Sequence, residues 1–334
     1  MNFRRFRPNR QTGMLLGMAV ILALLPLVFG SDDYTMQLLI MSMIWGAVAQ
    51  AWDLQLGYAG IFNLGQIGFF AIGGYASAML FYHLGVSPWL GLLAGTALGA
   101  GVAVLIGLPC LRLTGIYIAL LTLAFYEVLG PLLTVGKAVG TGGKEGLFPL
   151  GVFSIGGYVF SFYDPLPWYY VGLALFLLCM IVVYLVVNSR FGSSFIALHD
   201  SESFAQSLGI GRFRTSLILV AVSGGLTGLM GAFYASYTSV ISPRLLGLDL
   251  FLFLVIMILL GGVGKFPGAA IGAFVITFVN DWLRPTGTYR LLILGALVIV
   301  IVMLAPRGLM GAIDSVQALV RRRPRPVIPE AEEG

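Results

Sequence analysis

The sequence predicts an all-α, polytopic membrane bundle of about ten helices, some of them short or broken. Three observations carry this. The 334 residues are 59% apolar, with a mean hydropathy of +0.97. Only 10% are Asp, Glu, Lys or Arg, against roughly 25% in soluble domains, which leaves too little polar surface for a dissolved chain. Apolar runs also return about every 25 residues with no polar domain between them, so a length that would suit two soluble domains is read as one membrane domain, 13–311.

A helix needs about 20 apolar residues to cross roughly 30 Å of hydrocarbon. By that ruler the first run, 13–30, follows a basic tail at 1–12 with Arg4, Arg5, Arg7 and Arg10. A secretory signal begins the same way, and Val28 and Gly30 precede Ser31 in a tolerable cleavage pattern. Removing the run would upset the charge topology, so it is read as a span. The following candidates lie at 36–54, 61–82, 88–108, 115–134, 168–187 and 215–236. The run at 249–262 is too short to span comfortably and is read as a half-helix paired with 267–283, and 289–305 closes the series. Beyond it, 312–334 alternates prolines and ends in acids, which predicts a disordered tail. Cys110 and Cys179 stand alone in apolar sequence, without a CxxC or Cys/His cluster, and read as small hydrophobes facing lipid or the core.

The net charge of +5 raises the question of nucleic acid, but the charges sit in the gaps between apolar runs, where they act as a topology signal. No nucleic-acid partner is expected, and membrane lipids are. Ten crossings from an inside N-terminus put 14 basic residues inside, including Arg112, Arg190, Arg212, Arg214, Lys265, Arg307 and the run from Arg321. Five fall outside: Lys137, Lys144, Arg244, Arg284 and Arg290. That asymmetry is what the positive-inside rule requires, and it places both termini in the cytoplasm. Two connections are long: 136–167 outside and 188–214 inside. Connections of this length are usually functional or mobile.

Enzymatic chemistry finds little support. His83 and His199 are the two histidines, neither near a plausible nucleophile. The run Gly261, Gly262, Val263, Gly264, Lys265 resembles a phosphate loop only in part, since Leu259 and Phe266 stand where glycine and Ser or Thr are required. It reads as a tight turn between two membrane helices.

Four segments stand out. The stretch 56–75, LGYAGIFNLGQIGFFAIGGY, sets Gly57, Gly60, Gly65 and Gly68 among apolar residues. Either it packs helices tightly, or it is a broken helix lining a solute pathway with Asn63 and Gln66 as its polar groups. Glu127 lies mid-span with Thr122 and Tyr126 nearby, and reads either as a pathway residue or as a hydrogen-bonded packing carboxyl. In 188–214, Asp200 or Ser201 can cap a short helix that Gly209 ends, with Phe204 and Leu208 on one face. An apolar face on a cytoplasmic helix calls for a partner groove. In the outer connection, Thr141, Gly142 and Gly143 are the candidate gate or docking surface. The glycine-rich stretches near 57–74 and 224–231 are only loosely alike and establish no repeat.

With these residues in place, the chain resembles the branched-chain amino-acid ABC permeases of the LivM type. The matching blocks are 56–75, LRLTGIYIALLTLAFYEVL at 111–129, TGGKEGL at 141–147, RFGSSFIALHDSESFAQSLGI at 190–210, ISPRL with LGGVGKFPGAAIGA, and APRGLMG at 305–311. The family often carries Ser-Leu-Gly-His where this chain has Asn63, Leu64, Gly65 and Gln66. The resemblance implies a bacterial inner-membrane importer with a second permease subunit, identical or paralogous, two cytoplasmic ATPases that bind the ATP and Mg, and a periplasmic binding protein. It implies no cofactor in this chain, and a coupling helix at 201–208. Relatives of the family carry branched-chain amino acids, urea or short amides. Two other classes stay open on the residues alone: a gradient-driven secondary transporter using Glu127 as proton site, and a membrane scaffold without a pathway.

Overall fold

The computed structural model describes residues 8–30, 32–113, 115–148, 151–155, 158–161, 163–287, 289–304 and 308–311. The arginines at 4, 5, 7 and 307 and the tail at 312–334 lie outside the described residues. The described chain is all-helical apart from one two-residue hairpin. Its helices are α1 (Pro8–Phe29), α2 (Asp33–Asp53), α3 (Gln66–Leu84), α4 (Pro88–Cys110), α5 (Ile116–Val135), α6 (Pro165–Val187), α7 (Arg190–Asp200), α8 (Glu202–Ser207), α9 (Arg212–Thr238), α10 (Leu248–Gly261), α11 (Gly268–Trp282) and α12 (Tyr289–Leu304). The hairpin pairs β1 (Ser154–Ile155) with β2 (Tyr158–Val159) antiparallel.

Among the described residues six helices are long and apolar enough to cross a membrane: α1, α3, α4, α5, α6 and α9. The other four of the ten expected spans correspond to α2, α10, α11 and α12. α10 and α11, at 14 and 15 residues, are the short pair foreseen in 249–283. α2 is 21 residues long but carries Asp33, Gln37, Gln50 and Asp53. Asp33 and Gln37 are exposed near its start, while Gln50 and Asp53 are among the fifteen residues that this central helix buries against its neighbours.

The helix ends follow local chemistry. Asp32 caps α2, accepting from the Tyr34 N–H at 3.2 Å, and the Thr35 hydroxyl donated to it holds its carboxyl below the usual range. Asp164 caps α6 through the Leu166 N–H, followed by Pro165, whose missing N–H costs nothing at that position. Gly85 ends α3 in the left-handed region at φ +62°, donating to the Phe81 carbonyl.

The two glycine-rich stretches meet each other. An added Cβ on Gly73 would fall on the backbone of Gly228, and one on Gly228 would meet Gly95 and Gly99 of α4. Without a hydrophobic driving force between helices in lipid, such close backbone approach is what packs α3, α4 and α9. Gly228→Val is expected to lower the unfolding midpoint in detergent by several degrees, because overpacking a fitted contact costs about 1–3 kcal/mol. An unchanged midpoint would mean that this contact is loose. Cys110 and Cys179 are both buried in the interior.

The outer connection is folded onto the bundle. Leu147 and Ile241 exchange backbone hydrogen bonds at 2.9 and 3.1 Å, and the Trp89 indole N–H donates to the Ser154 carbonyl at 3.0 Å. Phe153 and Phe160 are buried in an aromatic cluster with Trp168 and Phe233.

Candidate functional site

Between α2 and α3 the backbone leaves the α-helix. α2 widens into a π turn over Leu54–Tyr58, and α3 begins only at Gln66, five residues later than the apolar pattern suggests. The intervening non-helical segment keeps Ile61, Asn63 and Gly65 buried. Buried backbone outside a helix must be satisfied by protein or water. Asn63 serves that need: its Oδ1 accepts from the Gly65 N–H at 2.8 Å and its Nδ2 donates to Gln55 at 2.8 Å. The Leu64 N–H donates to the Thr122 hydroxyl of α5 at 3.0 Å.

Gln66 lies at the centre of this polar set. Its Oε1 accepts from the Gln55 amide at 3.2 Å, and its Nε2 donates to Ser223 at 3.1 Å and to Thr227. Ser223 in turn donates to the Ala51 carbonyl at 2.6 Å. Asn63, Gln66 and Thr122, all named from sequence, are thus brought together, with their polar atoms spent on neighbours in α2, α5 and α9. Gln55, Ser223 and Thr227 were missed. The one signal for the last two is their i, i+4 spacing within the glycine-rich middle of α9.

The four named glycines make room for three neighbours. Gly57 lies against the backbone of Gly264 in the α10–α11 turn, where the Gly264 N–H donates to the buried Asp53 carboxylate at 2.8 Å. Gly60, at φ +65°, lies under the imidazole of His199, and an added Cβ would stand 2.6 Å from its Cδ2. Gly65 and Gly68 lie under the ring of Phe125 on α5, where added Cβ atoms would stand 3.1 and 2.7 Å away. The broken segment therefore touches the α10–α11 turn, the 190–210 segment and α5 at once. A cavity of about 700 Å³ opens beside it, lined by Gly60, Phe62, Ile116, Ala119, His199 and Glu202 among others.

Glu127 does not join the polar set. It is exposed on the outer face of α5, one residue past the buried Tyr126, and shares that face with Val128 and Leu132. Asp249, at the start of α10, is also exposed. The Tyr126 hydroxyl and the Trp52 indole N–H are buried without a hydrogen-bond partner, and both rings pack on Phe251.

In 190–210 the structure holds two helices where the sequence suggested one. Ser189 caps α7, accepting from the Phe191 N–H at 3.1 Å. Asp200 ends α7. Ser201 is extended and occupies the cap position of α8 without a side-chain cap bond, so the cap expected of Asp200 or Ser201 does not form. Gly209 follows in the left-handed region at φ +81°, as a helix end favours. Ala205 is buried, while Phe204 and Leu208 are 59% and 64% exposed. Arg212 fixes the pair in place, bridging Glu202 at 3.1 Å and the Leu113 carbonyl at 3.0 Å.

Thr141 folds back onto the end of α5, donating to the Leu133 carbonyl at 2.7 Å and accepting from the Gly143 N–H. Gly142 and Gly143 both take positive φ in the tight turn that follows. Lys144, Glu145 and Phe148 are exposed beside it.

A model of the branched-chain amino acid transport system permease component matches residues 34–303. The high-affinity branched-chain amino acid transport system permease protein LivM of Escherichia coli K12 is 27% identical over 297 residues, covering 83% of this chain and 70% of its own length. LivM of Salmonella typhimurium is 28% identical over 291 residues, covering 81% and 68%. The autoinducer 2 import system permease protein LsrC of Yersinia pseudotuberculosis is 30% identical over 205 residues, covering 60% and 55%. No solved structure matches the chain. The matched region takes in the broken segment, the α7–α8 pair and the α10–α11 turn together, and the chain belongs to the family of branched-chain amino acid transport permeases.

Proposed function

We propose that this chain is the permease subunit of an ATP-driven importer in the bacterial inner membrane, crossing it ten times with both termini in the cytoplasm. The observation that carries this reading is α8. It presents Phe204 and Leu208 to solvent on a short helix held by Arg212, a rigid apolar knob suited to a partner's groove. Two cytoplasmic ATPases, which bind the ATP and Mg, take that knob. A second permease subunit completes the pathway, and a periplasmic binding protein docks on the turn holding Thr141, Gly142 and Gly143 with its exposed neighbours.

Motion at α8 passes through α7 to His199, from His199 to Gly60, and through Gly65 and Gly68 to Phe125 of α5. Asn63, Gln66 and Thr122 hold the broken segment together so that it moves as one body. The pathway runs along the outer face of α5. A carboxylate at mid-helix facing hydrocarbon would be costly, so the face that carries Glu127 is covered by water and the second permease. ATP binding must favour one of two bundle arrangements for this to drive transport.

Branched-chain amino acids are the cargo this reading favours. The match to the LivM proteins runs over about four-fifths of the chain, and that to the autoinducer 2 permeases over three-fifths. Labelled leucine, urea and sugars offered to the reconstituted complex test this: leucine accumulates, and accumulation of urea or sugar alone rejects the cargo. Glu127→Gln is expected to cut uptake at least five-fold while the complex still assembles on size exclusion. Full uptake by that variant would place the pathway elsewhere.

A further inference from the structure

A second cavity, of about 450 Å³, lies between α2, α10, α11 and α12, away from the broken segment. Its lining is graded. Asp249, Asn280, Asp281 and Arg290 stand at one end, where α2, α10 and α12 begin and α11 finishes. Trp45, Phe253, Ile256, Leu294 and Val298 line the rest. From Arg290 to Val298 the α12 wall descends about 12 Å at 1.5 Å per residue. A slot of that depth suits an alkyl chain and is deeper than an amino-acid side chain reaches.

The polar end has unmet needs. Thr277, 5% exposed, lines the cavity with its hydroxyl unpartnered, and the buried Oδ1 of Asn280 likewise lacks a donor. Asp281 accepts from the Tyr34 hydroxyl, and no ion pair joins Arg290 to Asp249 or Asp281 among the described residues. An unmet amide oxygen beside two carboxylates calls for a cationic donor with several N–H groups, and Arg290 calls for an anion. A primary ammonium and a phosphate on one headgroup satisfy both.

We propose that this cavity is a binding site for an aminophospholipid. One acyl chain fills the apolar slot, the ammonium is held by Asn280 and Asp281, and the phosphate by Arg290. A choline headgroup has no N–H to offer Asn280, and a glycerol headgroup brings no positive charge to the two carboxylates.

Native mass spectrometry of the full chain in mild detergent tests the site, using phosphatidylethanolamine, phosphatidylcholine and phosphatidylglycerol with identical chains in equal amounts. Wild type is expected to retain the ethanolamine lipid at least three-fold over either other. Val298→Trp, which fills the slot, should abolish that preference. Arg290→Gln, at the mouth and outside the packed interior, should lower retention of all three lipids, and Asp281→Asn should remove the ethanolamine preference, even if the tryptophan variant fails to fold. Equal retention of the three lipids by wild type, a preference untouched by Asp281→Asn, or displacement of the lipid by free leucine would each overturn the assignment.

Discussion

Replacing Phe204 and Leu208 together with aspartate abolishes ATP-driven uptake and removes the ATPases from the purified complex, while the permease itself stays folded. Both side chains are mostly exposed, so the change costs the isolated chain little. In the proposed complex the same positions enter an apolar groove, where two buried carboxylates without partners would cost several kcal/mol, enough to reduce docking by about a thousand-fold or more. Pull-down with the ATPase and the unfolding midpoint of the permease alone separate the two effects. Retained ATPase binding would remove α8 from the coupling contact. His199→Ala makes the informative companion, because it leaves the docking face intact and loosens the contact over Gly60.

Gly57→Ala produces the largest loss of stability expected of any methyl addition in the broken segment. The new Cβ would occupy the space of the Gly264 backbone and of the Asp53 carboxylate. The α10–α11 turn must then move away, and the 2.8 Å bond from the Gly264 N–H to Asp53 is lost with it. Overpacking costs about 1–3 kcal/mol, and a buried carboxylate losing a donor adds about as much again. Thermal unfolding in detergent should drop by ten degrees or more, with uptake lost in parallel. By contrast Gly209→Ala, where an added Cβ meets open space, strains only its positive φ and should cost about 1 kcal/mol. Equal midpoints for the two variants would show that the turn contact carries no energy.

The sequence was most informative where one residue type has one physical use. Apolar runs of the right length located every long helix, and the shortness of 249–262 was legible from length alone, while that of α11 was not. The glycines of 56–75 signalled close approach, but not to what: Gly57 meets position 264, Gly60 meets 199, and Gly68 meets 125. Those distances in sequence carry no periodicity, so only the folded chain pairs them.

Asn63 and Gln66 were recognisable as polar groups out of place in an apolar stretch. Whether such groups face a solute or their own backbone depends on the partners at Gln55, Ser223 and Thr227, which sequence does not align with them. Glu127 shows the converse. Its depth was legible, but the face it occupies on α5 depends on how that helix packs against α3 and α4. The α7–α8 pair was half legible. Gly209 signalled its end, while the extended Ser201 that divides it follows an unremarkable Asp-Ser pair.

Central to this account is that the energy for transport enters through a partner at α8. Leucine accumulation in proteoliposomes tests it directly, comparing the chain with its partner subunits, the same complex carrying Phe204→Asp and Leu208→Asp, and the chain alone under a proton gradient. The account predicts ATP-dependent accumulation in the first and none in the other two. Accumulation by the chain alone, driven by the gradient and lost on Glu127→Gln, would contradict it.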